Sequence, residues 1–155
     1  MIQTLPELIA AHPLFAGLPG DVAELVAGCA RTVAFGPGRL IFSEGERAET
    51  LYLLRRGRVA LEVRRPGKAP LMVETLSAGA LLGWSWLLPP YRWHLDARAL
   101  GTVLAVAIDA DCLRAKADKD PEFGYRLLQR MSAVIVDRLQ ATRFRLLDLY
   151  GAVAP

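Results

Sequence analysis

The sequence predicts a mainly β fold with α-helices before and after it; two observations support the β part, and a third supports a single domain. Short apolar runs at residues 40–42, 51–54 and 59–63 are separated by turn sequences, and strands spaced roughly 8–12 residues apart are typical of a sandwich or barrel. Glycines at positions 38, 45 and 57 allow the positive φ that such turns need. A chain of 155 residues, 53% hydrophobic and 23% charged, is long enough to bury the core of one globular domain.

Residues 1–30 are predicted to form two helical segments. Apolar residues at helical spacing mark one face of each segment: Leu5, Leu8 and Ile9, then Val22, Leu25 and Val26. The first segment should end at His12-Pro13, because the residue before a proline avoids the α region. Pro19 is placed where a second helix begins.

A β-hairpin is predicted in the middle of the chain. Residues 65–68 read Arg-Pro-Gly-Lys, a turn between strands at 59–64 and 71–76. Alternation along the first of these strands predicts that its apolar residues face inward. Glu62 and Arg64 are then expected to face outward.

The strands that close the β part follow an unusual aromatic segment. Residues 80–82 form a short apolar run, and residues 84–93 contain all three tryptophans. Closing strands are predicted at 96–99 and 103–108. The second of these is almost entirely apolar, which is typical of a strand that is buried on both faces.

From residue 109 onward the periodicity becomes helical. A short helix is predicted at 111–117, and a longer one begins at Asp120-Pro121, continues to about Tyr150 and is stopped by Gly151. One stripe of this helix, mostly apolar, has the 4-3 spacing of a coiled coil and comprises Leu128, Ser132, Ile135, Leu139, Thr142, Leu146 and Leu149. This stripe either packs once against the chain's own β part or pairs with a second copy. We favour pairing, because an isolated helix of this length needs a partner along most of it.

Composition and charge restrict the function classes. The longest uncharged run, residues 75–91, is too short to span a membrane, and the N-terminus lacks a basic region before an apolar stretch. We therefore expect a cytoplasmic protein without a membrane partner. Cys29 and Cys112 are far apart and form no C-x-x-C motif, so buried free thiols are expected. A net charge of +3 does not by itself indicate nucleic-acid binding.

The turn and strand residues also resemble a known family. The matching positions are Pro37-Gly38, Glu44-Gly45-Glu46, Leu51-Tyr52, Gly57 and residues 59–61. Together they resemble the first half of a cyclic-nucleotide-binding domain, the sensor of Crp/Fnr-type catabolite activators and of protein kinase A regulatory subunits. The resemblance implies an antiparallel double-stranded β-helix, also called a jelly roll or β-roll, with N-terminal helices outside it and a long C-terminal helix.

That resemblance also implies how residues 1–155 are organised. It implies one domain in which residues 1–30 are the N-terminal helices, 31–108 the roll and 109–150 the C-terminal helices, with residues 121–150 pairing two subunits in a homodimer. Activators of this family follow the long helix with a winged helix-turn-helix. The sequence ends five residues after Tyr150, so we expect no direct DNA binding.

In the resembled family, a short cassette binds the cyclic phosphate and ribose. It reads approximately Gly-Glu-Leu-Ala-Leu and, a few residues later, Arg-Ser/Ala-Ala-Thr, because an arginine forms a charge-assisted pair with phosphate and a helix start favours an anion. Residues 83–97 align with it, and we call them the cassette segment. Gly83 is kept, but Trp84 replaces the glutamate, and the arginine position falls on Arg92 or Trp93 depending on register. Asp96 replaces the threonine.

The candidate ligand-binding residues come from this segment and from the long helix, which reaches over the ligand in the family. They are Leu82, Gly83, Trp84, Ser85, Trp86, Leu87, Arg92, Trp93, His94, Arg138 and Thr142. In one interpretation, they bind a cyclic nucleotide (cyclic AMP or cyclic GMP) or another small anionic effector, with the tryptophans stacking on a planar group. In the other, the tryptophans fill the pocket and the roll binds nothing small.

Catalysis and metal binding are disfavoured by the same residues. Ser85, His94 and Asp96 could be drawn as a triad, but a serine elbow belongs to a parallel α/β sheet. The chain's two histidines, His12 and His94, lack a second ligand at metal-site spacing, and haem ligation by His94 or a cysteine is a minor alternative.

The function predicted is therefore that of a non-enzymatic regulatory sensor domain, which signals to a protein partner through its C-terminal helix. One alternative is a ligand-free interaction or dimerisation module with a filled pocket. Another is a Crp/Fnr-type transcriptional regulator without its own helix-turn-helix.

Overall fold

The structure is a computed structural model that describes residues 2–153. Within this range the chain forms four helices and eight strands. The helices are α1 (Leu5–Ala11), α2 (Gly20–Ala27), α3 (Ala110–Lys119) and α4 (Pro121–Val153). The strands are β1 (Ala30–Phe35), β2 (Leu40–Phe42), β3 (Thr50–Arg56), β4 (Val59–Arg65), β5 (Lys68–Leu76), β6 (Leu81–Leu82), β7 (Asp96–Ala99) and β8 (Val103–Asp109).

Two four-stranded antiparallel sheets form the roll. One has the strand order β1-β8-β3-β6 and the other β2-β7-β4-β5, so strands distant in sequence are neighbours in both. Strand β8 is central, because it pairs with β1 on one side and β3 on the other. Val103 and residues 105–108 are fully buried, as the apolar run predicted. This arrangement, with the long helix after it, confirms the predicted fold class.

The N-terminal helices pack outside the roll and are fastened to it by His12. Thr4 and Glu7 form a capping box at the start of α1, and Ile9 is fully buried beneath the helix. The backbone N–H of Leu14 donates to His12 Nδ1 (3.1 Å). The proton of this imidazole therefore belongs on Nε2, which donates to the carbonyl of Ala80 (3.1 Å) before strand β6. Burial lowers the pKa of His12, and the Ala80 hydrogen bond opposes that effect.

Helix α4 has a buried face at its beginning and an exposed stripe further on. Phe123, Leu127 and Met131 are buried, whereas Leu139 is 49% exposed in this single chain. The prediction that Gly151 stops the helix was wrong, since α4 continues to Val153. A glycine inside a helix costs only about 1 kcal/mol relative to alanine, so it does not by itself end one.

Two other expectations are corrected by the structure. Glu62 is buried instead of exposed to solvent, because the Arg98 guanidinium covers its carboxylate at a distance of 3.0 Å. Cys29 and Cys112 are not free thiols but a disulfide, with their Cα atoms 5.7 Å apart. The fold brings them together, since the Asp109 N–H just before α3 donates to the carbonyl of Cys29 (2.8 Å).

Across residues 2–153, no helix is both long and apolar enough to span a bilayer.

Candidate functional site

The cassette segment encloses a small cavity of about 40 Å³, which we call the cassette cavity. A space of this size holds a few water molecules, since one water needs about 10–15 Å³. It is too small for a nucleotide unless a side chain moves. Its walls are Phe42, Leu61, Gly83, Trp84, Ser85, Trp93, His94, Leu95 and Arg138.

Trp93 is the residue that makes this cavity small. Its ring is stacked on Phe42, with centroids 3.8 Å apart and planes 8° from parallel, and the residue is only 5% exposed. The ring also lies against Gly83, where a Cβ would be 2.5 Å from the indole. Gly83 has φ +98°, so a side chain there would meet both a backbone penalty and a clash.

The other two tryptophans have different surroundings. Trp86 is fully buried and donates from Nε1 to the carbonyl of Gly83 (3.2 Å), so it belongs to the core. Trp84 is 37% exposed and its ring centroid lies 6.4 Å from that of His94 at the mouth of the cassette cavity. Of the three, Trp84 is the tryptophan with a ring free to contact a bound molecule.

The two charged residues of the cassette segment are held away from the cavity. Arg92 is exposed and donates from Nη1 to the carbonyl of Gly45 (2.8 Å). Asp96 is buried, where it accepts two hydrogen bonds from Arg64 (2.9 and 3.0 Å) and one from the N–H of Glu44 (2.7 Å). The Arg64 hydrogen bonds lower the pKa of Asp96. Burial opposes this effect by raising the pKa, and the hydrogen bond from the Glu44 N–H lowers it further. Asp96 is therefore engaged elsewhere and does not line the cavity.

Three further candidates lie at different places around the site. Leu82 is fully buried and pairs with Tyr52 of β3. Ser85 lines the cassette cavity, whereas the half-buried Leu87 faces a different cavity, between the cassette segment and the α3–α4 corner.

Arg138 connects the cassette cavity to a larger space beneath α4. Its guanidinium donates to the carbonyl of Leu81 and lines both spaces. Burial lowers the pKa of Arg138, while the negative charge of Glu74 opposes that effect. An arginine stays protonated even so, and Arg138 therefore places a partly desolvated positive charge where the long helix meets the roll.

The larger space, which we call the helix groove, has a volume of about 450 Å³. Its walls are mostly apolar and comprise Leu61, Val73, Glu74, Trp84, Leu95, Ile135, Arg138, Leu139, Thr142 and Arg145. Thr142 uses its hydroxyl to donate to the carbonyl of Arg138 (2.9 Å). Arg145 donates to the carbonyl of Val73, and its guanidinium lies 3.8 Å from the Glu74 carboxylate.

The structure thus brings Trp84, Ser85, Trp93, His94 and Arg138 together around one cavity, and Thr142 joins Trp84 and Arg138 in the helix groove. Arg92, Trp86 and Leu82 lie outside both spaces.

Sequence reasoning did not single out Phe42, Glu74 or Arg145 for the site. Arg145 had a usable signal, because it follows Arg138 by seven residues and so lies on the same helix face two turns later. Phe42 and Glu74 are ordinary strand residues whose proximity to the site depends on tertiary packing.

Comparison with known proteins places the chain in one domain family. A sequence model described as the cyclic nucleotide-binding domain matches residues 32–120. The CRP-like cAMP-activated global transcriptional regulator of Mycobacterium tuberculosis is 26% identical over 151 residues, which are 97% of this chain. The chain spans 66% of that regulator's length.

Solved structures show the same roll and long helix. A provisionally assigned cyclic nucleotide-binding protein of Geobacter metallireducens is 28% identical with a TM-score of 0.79, and the match covers 88% of this chain and 99% of that one. The catabolite activator protein of Thermus thermophilus is 24% identical with a TM-score of 0.70, over 90% of this chain and 63% of that one. The second likeness is evidence for the fold alone.

Proposed function

The chain belongs to the cyclic nucleotide-binding domain family, and we propose that it is a non-enzymatic regulatory sensor domain that binds a small anionic effector and signals through α4. We propose further that residues 1–155 act as one domain in the cytoplasm. The observation that carries the proposal is Arg138, a partly buried guanidinium on the long helix that lines both spaces beneath it.

The position of Arg138 links an anion to a movement of α4. The guanidinium now donates to the carbonyl of Leu81, and a carboxylate or phosphate is a stronger acceptor than a neutral carbonyl. A bound anion would therefore draw Arg138 from Leu81 and shift α4 relative to β6. Such a ligand shifts the equilibrium between these two positions of α4 only because it binds one position more tightly than the other.

Cyclic AMP and cyclic GMP are the first effectors to test. The family supports them, and the relative in Mycobacterium tuberculosis is named as cAMP-activated. In this chain the cassette cavity is filled by Trp93, so the helix groove offers the larger space, with Trp84 as a stacking surface and Arg138 as the cation.

A ligand-free interaction module is the second candidate function, and the Trp93–Phe42 stack favours it. That stack supplies from inside the chain the apolar contact that a ligand would otherwise make. In this case the roll would serve only to hold α4 in place for a partner.

Both functions use α4 for pairing, and we propose a homodimer through residues 121–150. The predicted stripe is exposed in the single chain, with Leu128, Leu139, Leu146 and Leu149 each 49–68% exposed. Burying these leucines against a second copy would remove their apolar surface from water. Sedimentation equilibrium should therefore give a dimer for the wild type and a monomer for Leu139→Glu. A monomeric wild type at high micromolar concentration would remove this proposal.

The effector proposal is tested by thermal shift with cyclic AMP, cyclic GMP and cyclic dinucleotides. A ligand at 100 times its Kd stabilises the folded chain by about 2.7 kcal/mol, which should raise Tm by several degrees for this size. Arg138→Gln should abolish the shift, and Arg92→Gln, an exposed arginine outside both spaces, should keep it.

The reverse pattern would show that Arg92 contacts the ligand as the sequence predicted. No shift with any of these compounds would favour the ligand-free module.

A further inference from the structure

The Cys29–Cys112 disulfide joins two parts of the chain that meet at the base of the roll. Cys29 lies between α2 and β1, and Cys112 lies in the first turn of α3, 83 residues later. The Asp109 carboxylate caps α3 by accepting the N–H of Cys112 (2.8 Å). The bond therefore fixes the beginning of α3 to the N-terminal helices.

Helix α3 in turn contacts the cassette segment. The Arg114 guanidinium, two residues after Cys112, donates to the carbonyl of Trp86 and lies 4.2 Å from the centroid of the Tyr91 ring. The first contact holds the backbone of the cassette segment, and the second is a cation–π pair with one of its side chains. A displacement of α3 would release them together.

The same helix also supports the start of α4. A Cβ built on Gly124 would be 3.0 Å from the carbonyl of Ala117, so the two helices are packed closely at their corner. Helix α3, which has only ten residues, thus contacts the disulfide, the cassette segment and α4.

We propose that this disulfide is a redox-modifiable site whose reduction loosens α3 and so changes both the cassette segment and α4. The reactant is a dithiol reductant of the thioredoxin kind. Its thiolate attacks one sulfur of the pair, and a mixed disulfide forms as the Cys29–Cys112 bond breaks. Its second thiol then resolves that intermediate, so that two electrons and two protons pass to Cys29 and Cys112 while the reductant becomes a disulfide.

The surroundings select which sulfur is attacked. Cys112 is half-buried and Cys29 is only 9% exposed, so the attacking thiolate reaches Cys112 and expels Cys29. The Lys116 ammonium group lies beside Gly28, with its Nζ 3.7 Å from where a Cβ on that glycine would be, so it adds positive charge next to the residue before Cys29.

The proposal takes the cytoplasmic location proposed above as its premise, because disulfides that occur there are usually transient and redox-sensing. It does not require an effector, and its test is independent of one.

The test is hydrogen exchange on the 155-residue chain, oxidised and after dithiothreitol, with alkylation and mass measurement to count free thiols. Reduction should raise exchange on the order of threefold or more in residues 84–93 and 121–131, as well as in α3, while circular dichroism shows that the roll stays folded. Cys29→Ser/Cys112→Ser should behave like the reduced wild type and should not respond to dithiothreitol.

Arg114→Ala serves as the matched control, because it leaves the disulfide in place and removes the link to the cassette segment. In this variant, reduction should still raise exchange in α3 but should no longer change residues 84–93. Four results would overturn the proposal. The first three are a bond that resists excess dithiothreitol in the folded chain, exchange that rises only next to the two cysteines, and reduction that unfolds the whole roll. Failure of the thiols to form a bond with oxidised glutathione would do the same.

Discussion

The Trp93 indole lies flat on the Phe42 ring, with 3.8 Å between centroids and 8° between planes. Phe42 comes from β2 and Trp93 from the cassette segment just before β7, and these two strands pair in the same sheet. A stacked aromatic pair contributes about 0.5–1.5 kcal/mol beyond the area that it buries. The stack is thus both a part of the core and the reason that the cassette cavity holds only about 40 Å³.

Removing the indole should open the cassette cavity and destabilise the roll. For Trp93→Ala we expect a loss of about 3–5 kcal/mol in the free energy of unfolding, measured by urea denaturation, since truncating a buried aromatic leaves a cavity. Free indole should restore part of this loss by occupying the space, which a thermal shift would show.

Trp84→Ala is the matched control, because Trp84 lines the same cavity but is 37% exposed. It should cost about 1 kcal/mol or less and should not respond to indole. If the two variants lose equal stability, or indole stabilises both alike, Trp93 is not the residue that fills the pocket.

The roll was predictable because its signals are local. Turn glycines and short apolar runs lie within a few residues of one another, and the backbone at Gly38, Gly45 and Gly57 has positive φ as the turns require. The disulfide was not predictable, because Cys29 and Cys112 are 83 residues apart and only the pairing of distant strands brings them together.

A comparison of two glycines separates backbone strain from a steric clash. Gly57 and Gly45 have nearly the same φ (+87° and +89°), but a Cβ on Gly57 would be 2.3 Å from the carbonyl oxygen of Thr102, and one on Gly45 would meet nothing within 4 Å. Gly45→Ala should therefore cost about 1–2 kcal/mol from strain alone. Gly57→Ala should cost clearly more, because the turn between β3 and β4 must move away from Thr102.

Urea midpoints of the two alanine variants measure this difference directly. Equal midpoints would mean that the backbone at Thr102 yields without cost, which contradicts the expectation.

The stability of the chain should depend on pH through His12. Burial lowers the pKa of His12 in the folded state, whereas the unfolded chain has the ordinary value near 6.5. The unfolded state thus binds the proton more readily, so the contribution of His12 is complete above about pH 6.5 and is lost as the pH falls below it. The slope should reach at most about 1.4 kcal/mol per pH unit.

Urea denaturation between pH 8 and pH 5 tests this expectation. His12→Gln should lower stability at pH 8, because the hydrogen bonds to Ala80 and Leu14 change, but it should flatten the decline below pH 6.5. A decline of the same steepness in the variant would assign the effect to another group.

The candidate site was predictable only in part, because some of its contacts join residues that are far apart in the sequence. Gly83 and Trp84 follow from the cassette pattern, and Arg138 from the helix that crosses it. That Trp93 faces inward while Arg92 pairs with Gly45 depends on a one-residue register, which the sequence left open. Glu74 joins the helix groove only because β5 lies next to α4 in the folded chain.

Glu74 should weaken the binding of an anion in the helix groove. Its carboxylate lies 3.8 Å from the Arg145 guanidinium, and its charge also acts on Arg138, so it occupies the place of an acidic ligand. Two like charges about 5 Å apart repel by on the order of 1–3 kcal/mol in partly solvated surroundings, so Glu74→Gln should tighten the binding of an anionic effector about tenfold.

Titration calorimetry with the cyclic nucleotide that gives the largest thermal shift measures this change. Glu49→Gln is the control, because Glu49 is an exposed carboxylate outside the helix groove, and it should leave the affinity unchanged. The gain from Glu74→Gln should also shrink at high salt, since screening weakens the repulsion that the substitution removes. An affinity that stays the same in Glu74→Gln would show that the effector binds outside the groove between β5 and α4.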